Sequence, residues 1–393
     1  MAALLGMMVS SAPVLIYPFA VFLEPVSRQF GWGRAVMPGA LVLAAPVMSA
    51  LYPVVGWLLD RVGSRVLLLW SFVLFGLSVA SLSLLNGSTR QLVTLFVIAA
   101  IFSTGPTSIA YARLISKSFS SNRGLILGIG LGVGGGVGAV VLPVLTQYLI
   151  GTFGWRGAYV GIGLAPILVG WSTAFLLLKR ETRTIQGPAV APDRARGLSI
   201  GEVLKTHEFW LLLSSVLLSC TAINGVMAHI AAIGTDRGLT ASMAAFTVSL
   251  IAVFQVAGQF LMGVFLDRSK TPRIALPMFG CLLLGIIVLH MGHGTPAMFL
   301  APCLIGFGAG SEYGLLPYFV TRFFGLRSFG RVYGSIFGAS AIAIGIGPYL
   351  MGRIFDATGT YNLAFAAFEV AVAITLVCVA SLRRYAFPAK SEA

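Results

Sequence analysis

Charge is scarce in this chain. Asp, Glu, Lys and Arg make up 10% of its 393 residues, whereas a soluble domain carries roughly 25%. Together with 58% hydrophobic residues and a mean hydropathy of +0.94, that shortage excludes a soluble globular protein. Cysteine and histidine are equally rare, at four each. Cys220, Cys281, Cys303 and Cys378 all lie within apolar runs, and none makes a metal spacing or an obvious pair. No nucleophile–base pair, metal cluster or cofactor motif is visible, which argues against an enzyme and against any bound cofactor. Long polar stretches are also missing: only Lys179 to Thr206 qualifies. A sensor would be expected to carry an extra signalling domain, and none stands out.

What is present is a basic excess, with a net charge of +14 and a pI near 10.1. The basic residues are scattered in short loops between apolar runs, as a positive-inside bias produces, so nucleic acid is not the expected partner. A membrane helix needs about 20 apolar residues. Twelve candidate spans fit, at roughly 2–25, 35–58, 66–86, 91–115, 124–149, 156–178, 208–232, 240–263, 275–293, 297–320, 329–351 and 361–382. With both termini cytoplasmic, the inner loops and C-terminus hold 20 of the 26 Lys and Arg, leaving Arg28, Arg34, Arg90, Arg156, Arg237 and Arg353 outside. An odd number of spans would scramble that split. No cleavable signal is evident. Span 1 begins almost at Met1 with no basic residue before Arg28, which suggests a truncated or misassigned start.

The chain also repeats itself. Gly56-Trp57-Leu58-Leu59-Asp60-Arg61-Val62-Gly63-Ser64-Arg65 is echoed by Gly263-Val264-Phe265-Leu266-Asp267-Arg268. The offset of 207 is shared by Gly56 and Gly263, Asp60 and Asp267, and Tyr111 and Tyr318. A constant offset of half the chain means two similar halves. Asp60 and Arg61 cannot sit in hydrocarbon and mark a water boundary. Gly63 supplies the turn. Gly56-x-x-x-Asp60-Arg61-x-Gly63-x-Arg65 resembles the loop between helices 2 and 3 of the major facilitator superfamily of transporters, and the second copy resembles its partner between helices 8 and 9. The second copy departs at Ser269-Lys270, where the glycine is missing. The resemblance implies an all-α membrane protein of twelve transmembrane helices in two pseudo-symmetric six-helix bundles. On that reading 1–178 and 207–393 are the bundles and 179–206 is a cytoplasmic linker. It also implies a gating role for Asp60, Arg61, Arg65, Asp267 and Arg268, which latch the closed state without binding substrate.

Span 5 is glycine-rich, with Gly124, Gly128, Gly130, Gly132, Gly134, Gly135, Gly136 and Gly138 before Pro143. A dinucleotide-binding loop would need a preceding strand and a later acidic residue, and neither is present. Close helix packing is the better reading.

In the superfamily, sites lie near the bilayer midplane on the inner helices. Glu312 on span 10 lies ten residues before Arg322, roughly 15 Å inside at 1.5 Å per residue. A carboxylate there is expensive and suggests proton or substrate handling, with a structural acid as the rival. His229 and Asn224 lie on span 7; His229 is read equally as a proton-sensitive site and as a packing histidine. Gln255 and Gln259 share a face of span 8. Tyr17, Tyr111 and Tyr313 complete the candidate set, and each alone is more often packing than contact. His290 and His293 read as a solvated turn, and Glu369 as structural.

Four blocks resemble the monocarboxylate-porter and oxalate/formate-antiporter branch: Gln29-Phe30-Gly31-Trp32-Gly33-Arg34, Phe153-Gly154-Trp155-Arg156-Gly157-Ala158-Tyr159, Phe355-Asp356-Ala357-Thr358-Gly359-Thr360-Tyr361 and Phe323-Phe324-Gly325-Leu326-Arg327-Ser328-Phe329-Gly330. The resemblance implies a small organic anion as substrate, often carried with a proton. The chain departs from the branch where Tyr17 replaces a lysine and Gln255 and Gln259 replace an aspartate–arginine pair. The expectation is therefore a monomeric secondary transporter in a bacterial inner membrane, in contact with lipid. It would move a monocarboxylate-like anion with a proton by alternating access. Efflux of an amphipathic compound is the alternative.

Overall fold

The computed structural model describes residues 1–107, 110–111, 132–178, 197–268, 271–325, 328–383 and 385–386. Ser269, Lys270, residues 112–131 (the first glycines of span 5 among them) and most of the linker fall outside these. So do the side chains of Asp60, Asp267, Arg268 and Tyr313.

Among the described residues, nine helices are long and apolar enough to cross a membrane, and Thr89–Ser103 and Gly294–Gly310 are shorter apolar helices. One of the nine, Gly134–Leu177, has 44 residues. At 1.5 Å per residue that is about 66 Å, more than twice a hydrocarbon core of about 30 Å. Gly154 breaks it, with φ 69° and ψ 172°, a conformation that an L side chain disfavours. Counted as two crossings it brings nine to ten, and the two shorter helices make twelve. We number them α1 (Ala2–Phe30), α2 (Val36–Val62), α3 (Ser64–Leu84), α4 (Thr89–Ser103), α5 (134–153), α6 (155–177), α7 (His207–Asp236), α8 (Ala241–Arg268), α9 (Pro272–Met291), α10 (Gly294–Phe324), α11 (Phe329–Thr358) and α12 (Asn362–Ala380).

The chain divides into two compact units. The first comprises Met1–Thr182, Gly225–Ala252 and Pro348–Thr360; the second comprises Arg183–Asn224, Val253–Gly347 and Tyr361–Ala393. The first unit thus takes the end of α7, the start of α8 and the end of α11 together with the first six crossings. Specific bonds fix those pieces there: Ser249 Oγ donates to the Val140 carbonyl (2.6 Å) and Thr235 Oγ1 to Glu24 (2.7 Å). The core of this unit is aromatic and aliphatic. Phe22 stacks on Tyr159 at 3.7 Å, and Leu23, Leu68, Phe72, Phe75 and Ile162 are closed to solvent. In hydrocarbon such packing holds by dispersion and fit, because lipid tails are as apolar as leucine.

α1 and α4 are not continuous. α1 is interrupted after Met8 by a wide turn over Ala12–Ile16, with Pro13 and Pro18 removing backbone donors. α4 stops at Ser103, before Gly105-Pro106. The two breaks meet where the Ser11 backbone N–H donates to the Pro106 carbonyl (3.3 Å). Irregular backbone at membrane depth persists only where protein or a cavity covers it. Ser103 and Thr104 hydroxyls bond carbonyls one turn back (2.8 and 2.6 Å) and satisfy part of what the break exposes.

Candidate functional site

Glu312 lies inside α10, partly buried. Ser219 Oγ on α7 bonds its Oε1, and Cys220 Sγ lies 3.3 Å from its Oε2. The local packing follows from glycine. A methyl placed on Gly310 would sit 2.8 Å from the Gln259 backbone nitrogen, so α10 and α8 touch backbone to backbone two residues from the carboxylate.

The hydrogen-bond count around Glu312 is informative. Ser219 Oγ has one proton, yet it faces three acceptors, the Glu312 oxygen, the Ser215 carbonyl at 2.6 Å and, more distantly, the Val216 carbonyl at 3.4 Å. If Glu312 is ionised, Ser219 donates to it. If Glu312 carries a proton, the carboxyl donates to Ser219, and Ser219 donates to Ser215. Both states are satisfied without moving a heavy atom, which is what a site that loads and unloads a proton requires.

The other candidates separate. Asn224 donates its amide to the Cys220 carbonyl in its own helix (2.8 Å). Gln255 is partly buried and Gln259 exposed on α8. Both belong with Glu312 to the second unit. His229 belongs to the first, where it is fully buried with Nε2 3.0 Å from the Pro348 carbonyl. A carbonyl only accepts, so Nε2 carries the proton, and this ring ties α7 to α11. Tyr17 is partly buried at the end of the wide turn in α1. Tyr111 is closed to solvent, its ring packed against Gly6, and its hydroxyl has no hydrogen-bond partner among the described residues. His290 is not in a solvated turn: its Nδ1 lies 2.8 Å from Glu369, joining α9 to α12.

The repeated loops are anchored to their own neighbours. Arg65 donates to the Phe175 carbonyl at the end of α6 (2.9 Å), filling one of the carbonyls a helix end leaves open. Arg61 lies over the Trp57 ring at 4.2 Å. In the second copy, Tyr318 Oη donates to the Leu266 carbonyl (3.1 Å), pinning the end of α8 to α10. Hydrogen bonds between membrane helices average about 0.6 kcal/mol. Tyr318→Phe is therefore expected to lower the melting temperature in detergent only slightly, and to leave the Glu312 site intact.

The family model described as Major Facilitator Superfamily matches residues 2–348. The chain belongs to the major facilitator superfamily. Its curated relatives are transporters. Monocarboxylate transporter 12 of Homo sapiens is 22% identical over 90% of this chain and 72% of its own length. Monocarboxylate transporter 11 of Mus musculus is 27% identical over 82% and 73%. The oxalate:formate antiporter of Oxalobacter formigenes is 23% identical over 99% and 90%. Among solved structures, a bacterial homolog of the human lysosomal transporter Spinster, inward-facing and occupied, superposes with a TM-score of 0.69 at 16% identity, covering 96% of this chain and 94% of that one. The twelve crossings are those of this superfamily's fold.

Two features of this superfamily member escaped the sequence reading. The breaks in α1 and α4 were signalled by Pro13, Pro18 and Gly105-Pro106, prolines and glycine inside apolar runs. The partners of Glu312 carried no signal, because one serine and one cysteine among so many small residues look like packing.

Proposed function

We propose that this protein is a secondary active transporter of a small monocarboxylate-like anion, moved together with a proton by alternating access. The observation that carries the reading is the Glu312–Ser219–Cys220 cluster, a membrane-depth carboxyl whose two protonation states are both hydrogen-bonded. The named relatives supply the substrate class. Gln255 and Gln259 then offer hydrogen-bond donors to the anion in place of charge. The two halves of the repeat rock about this region, with the loops at Asp60 and Asp267 latching the inner face. Both termini lie on the cytoplasmic side of a bacterial inner membrane, following the distribution of Lys and Arg.

The test is flux in liposomes of purified protein. An inward proton gradient is imposed, internal pH is followed, and small carboxylates are added one at a time. Proton entry that depends on one carboxylate is the expected result. Silence with every carboxylate would sink the reading. It would favour export of an amphipathic compound, for which the uncharged glutamines are equally suitable.

A further inference from the structure

Three of the four blocks that mark the branch are far apart in sequence but meet in one junction, at the end of α2 opposite the Asp60 loop. Gln29 accepts a hydrogen bond from Trp155 Nε1, and Phe30 packs edge-on against Trp155 at 5.8 Å. From the same loop, the Arg34 guanidinium grips Asp236 through two nitrogens, at 2.5 and 2.7 Å. It also lies over the Phe355 ring at 4.0 Å. The backbone N–H groups of Arg34 and Ala35 both donate to the Asp356 carboxylate, at 2.7 and 3.0 Å. α11 approaches closely enough that a methyl on Gly352 would sit 2.7 Å from the Ala35 nitrogen.

We infer that Arg34 closes the outer gate, as the positioning residue whose ties to Asp236 and Asp356 must part before the outer face can open. The inference rests on the alternating-access reading. Arg34 comes from the first repeat, Asp236 and Asp356 from the second. When two halves rock about a central site, a contact between them at one face cannot survive opening of that face. The chemistry suits a reversible tie. A two-pronged guanidinium–carboxylate pair is directional. Asp236 retains 37% side-chain exposure and Arg34 18%, so water can take up the charges when they separate, and the burial penalty that would lock the pair is small. The tie has no repeat partner. Stepping by the 207-residue offset, which keeps a residue on the same face, puts Ala241 in the place of Arg34, Gln29 in that of Asp236 and Leu149 in that of Asp356.

The experiment reads conformation and needs no substrate. Ala232 on α7 is 1% exposed beneath the junction. With Ala232→Cys as reporter, labelling by a membrane-impermeant maleimide from the outer side is compared with and without the gate residues. Arg34→Gln and Asp236→Asn should each raise the labelling rate about tenfold. The double variant should be no faster than either single, since both delete one interaction. Unchanged labelling, or effects that add, would overturn the gate. If a single variant aggregates on size exclusion, the charge-neutral double variant is read alone: faster labelling supports the gate and wild-type labelling rejects it. Carboxylate flux and labelling fail independently. A silent flux assay with responsive labelling removes the substrate reading and keeps the gate, whereas active flux with unresponsive labelling removes the gate alone.

Discussion

Glu312→Gln is expected to abolish accumulation driven by a proton gradient while leaving substrate exchange in place. Glutamine keeps the size of the side chain and its hydrogen-bonding oxygen, so the contacts with Ser219 and Cys220 on α7 can persist. What it loses is the titratable proton. A carrier that binds its anion but no proton still exchanges one anion for another down their gradients, and it can no longer couple their movement to a pH difference. The expected loss is at least tenfold in the accumulation ratio, because coupling is removed outright rather than weakened. Ser219→Ala keeps the carboxyl and should slow turnover without uncoupling it. The check is to load proteoliposomes with unlabelled substrate, follow entry of labelled substrate at equal pH, and then follow net uptake under an inward proton gradient. Uptake that survives in Glu312→Gln would reassign the residue as a tie between α10 and α7 and would move proton coupling elsewhere.

The architecture was legible because membranes leave few choices. Twelve apolar runs follow from the need to satisfy every backbone group inside a bilayer, and the 207-residue echo reflects two similar halves. Glu312 stood out for a related reason: a carboxylate midway along a span is expensive, with a structural acid as the rival reading. His229 illustrates the limit. Its placement on α7 was readable, whereas its bond to the Pro348 carbonyl on α11 depends on a contact 119 residues away. The Arg34 junction shows the same limit more sharply. Arg34 and Asp356 each lie in a block that stood out in the sequence, whereas Asp236 lies in none. Nothing in any one block says that Arg34 meets Asp236 across 202 residues and Asp356 across more than 300. Charge pairing between distant loops has no period and no repeat partner here, so only the assembled fold reveals it. The breaks in α1 and α4 fall between these cases. Their prolines were plain, but a proline inside a span can kink a helix or end it, and the Ser11–Pro106 bond decides which.

Gly310→Ala destabilises the protein, although the same substitution elsewhere in a helix does the reverse. Alanine is the better helix former by about 1 kcal/mol, so an open glycine in a span gains from the change. Gly280 on α9 is such a position, with no heavy atom within 4 Å of an added methyl. At Gly310 the methyl meets the carbonyl carbon of Gln255 at 2.9 Å and the nitrogen of Gln259 at 2.8 Å, both backbone atoms of α8. A side chain could swing aside; two backbones cannot, so the helices must part along their contact. Overpacking of this kind costs roughly 1–3 kcal/mol, enough to overcome the gain in helix propensity and reverse its sign. Parting α8 from α10 also moves Gln255 and Gln259 away from Glu312, two residues further along. Gly310→Ala should therefore lose both thermal stability and transport, whereas Gly280→Ala holds or raises stability at full transport. Melting curves in detergent and initial uptake rates, measured on both variants side by side, decide it. Equal behaviour of the two would mean that α8 and α10 are looser than their backbone contact implies, and that the glycines of α10 do not set the distance between its carboxylate and the α8 glutamines.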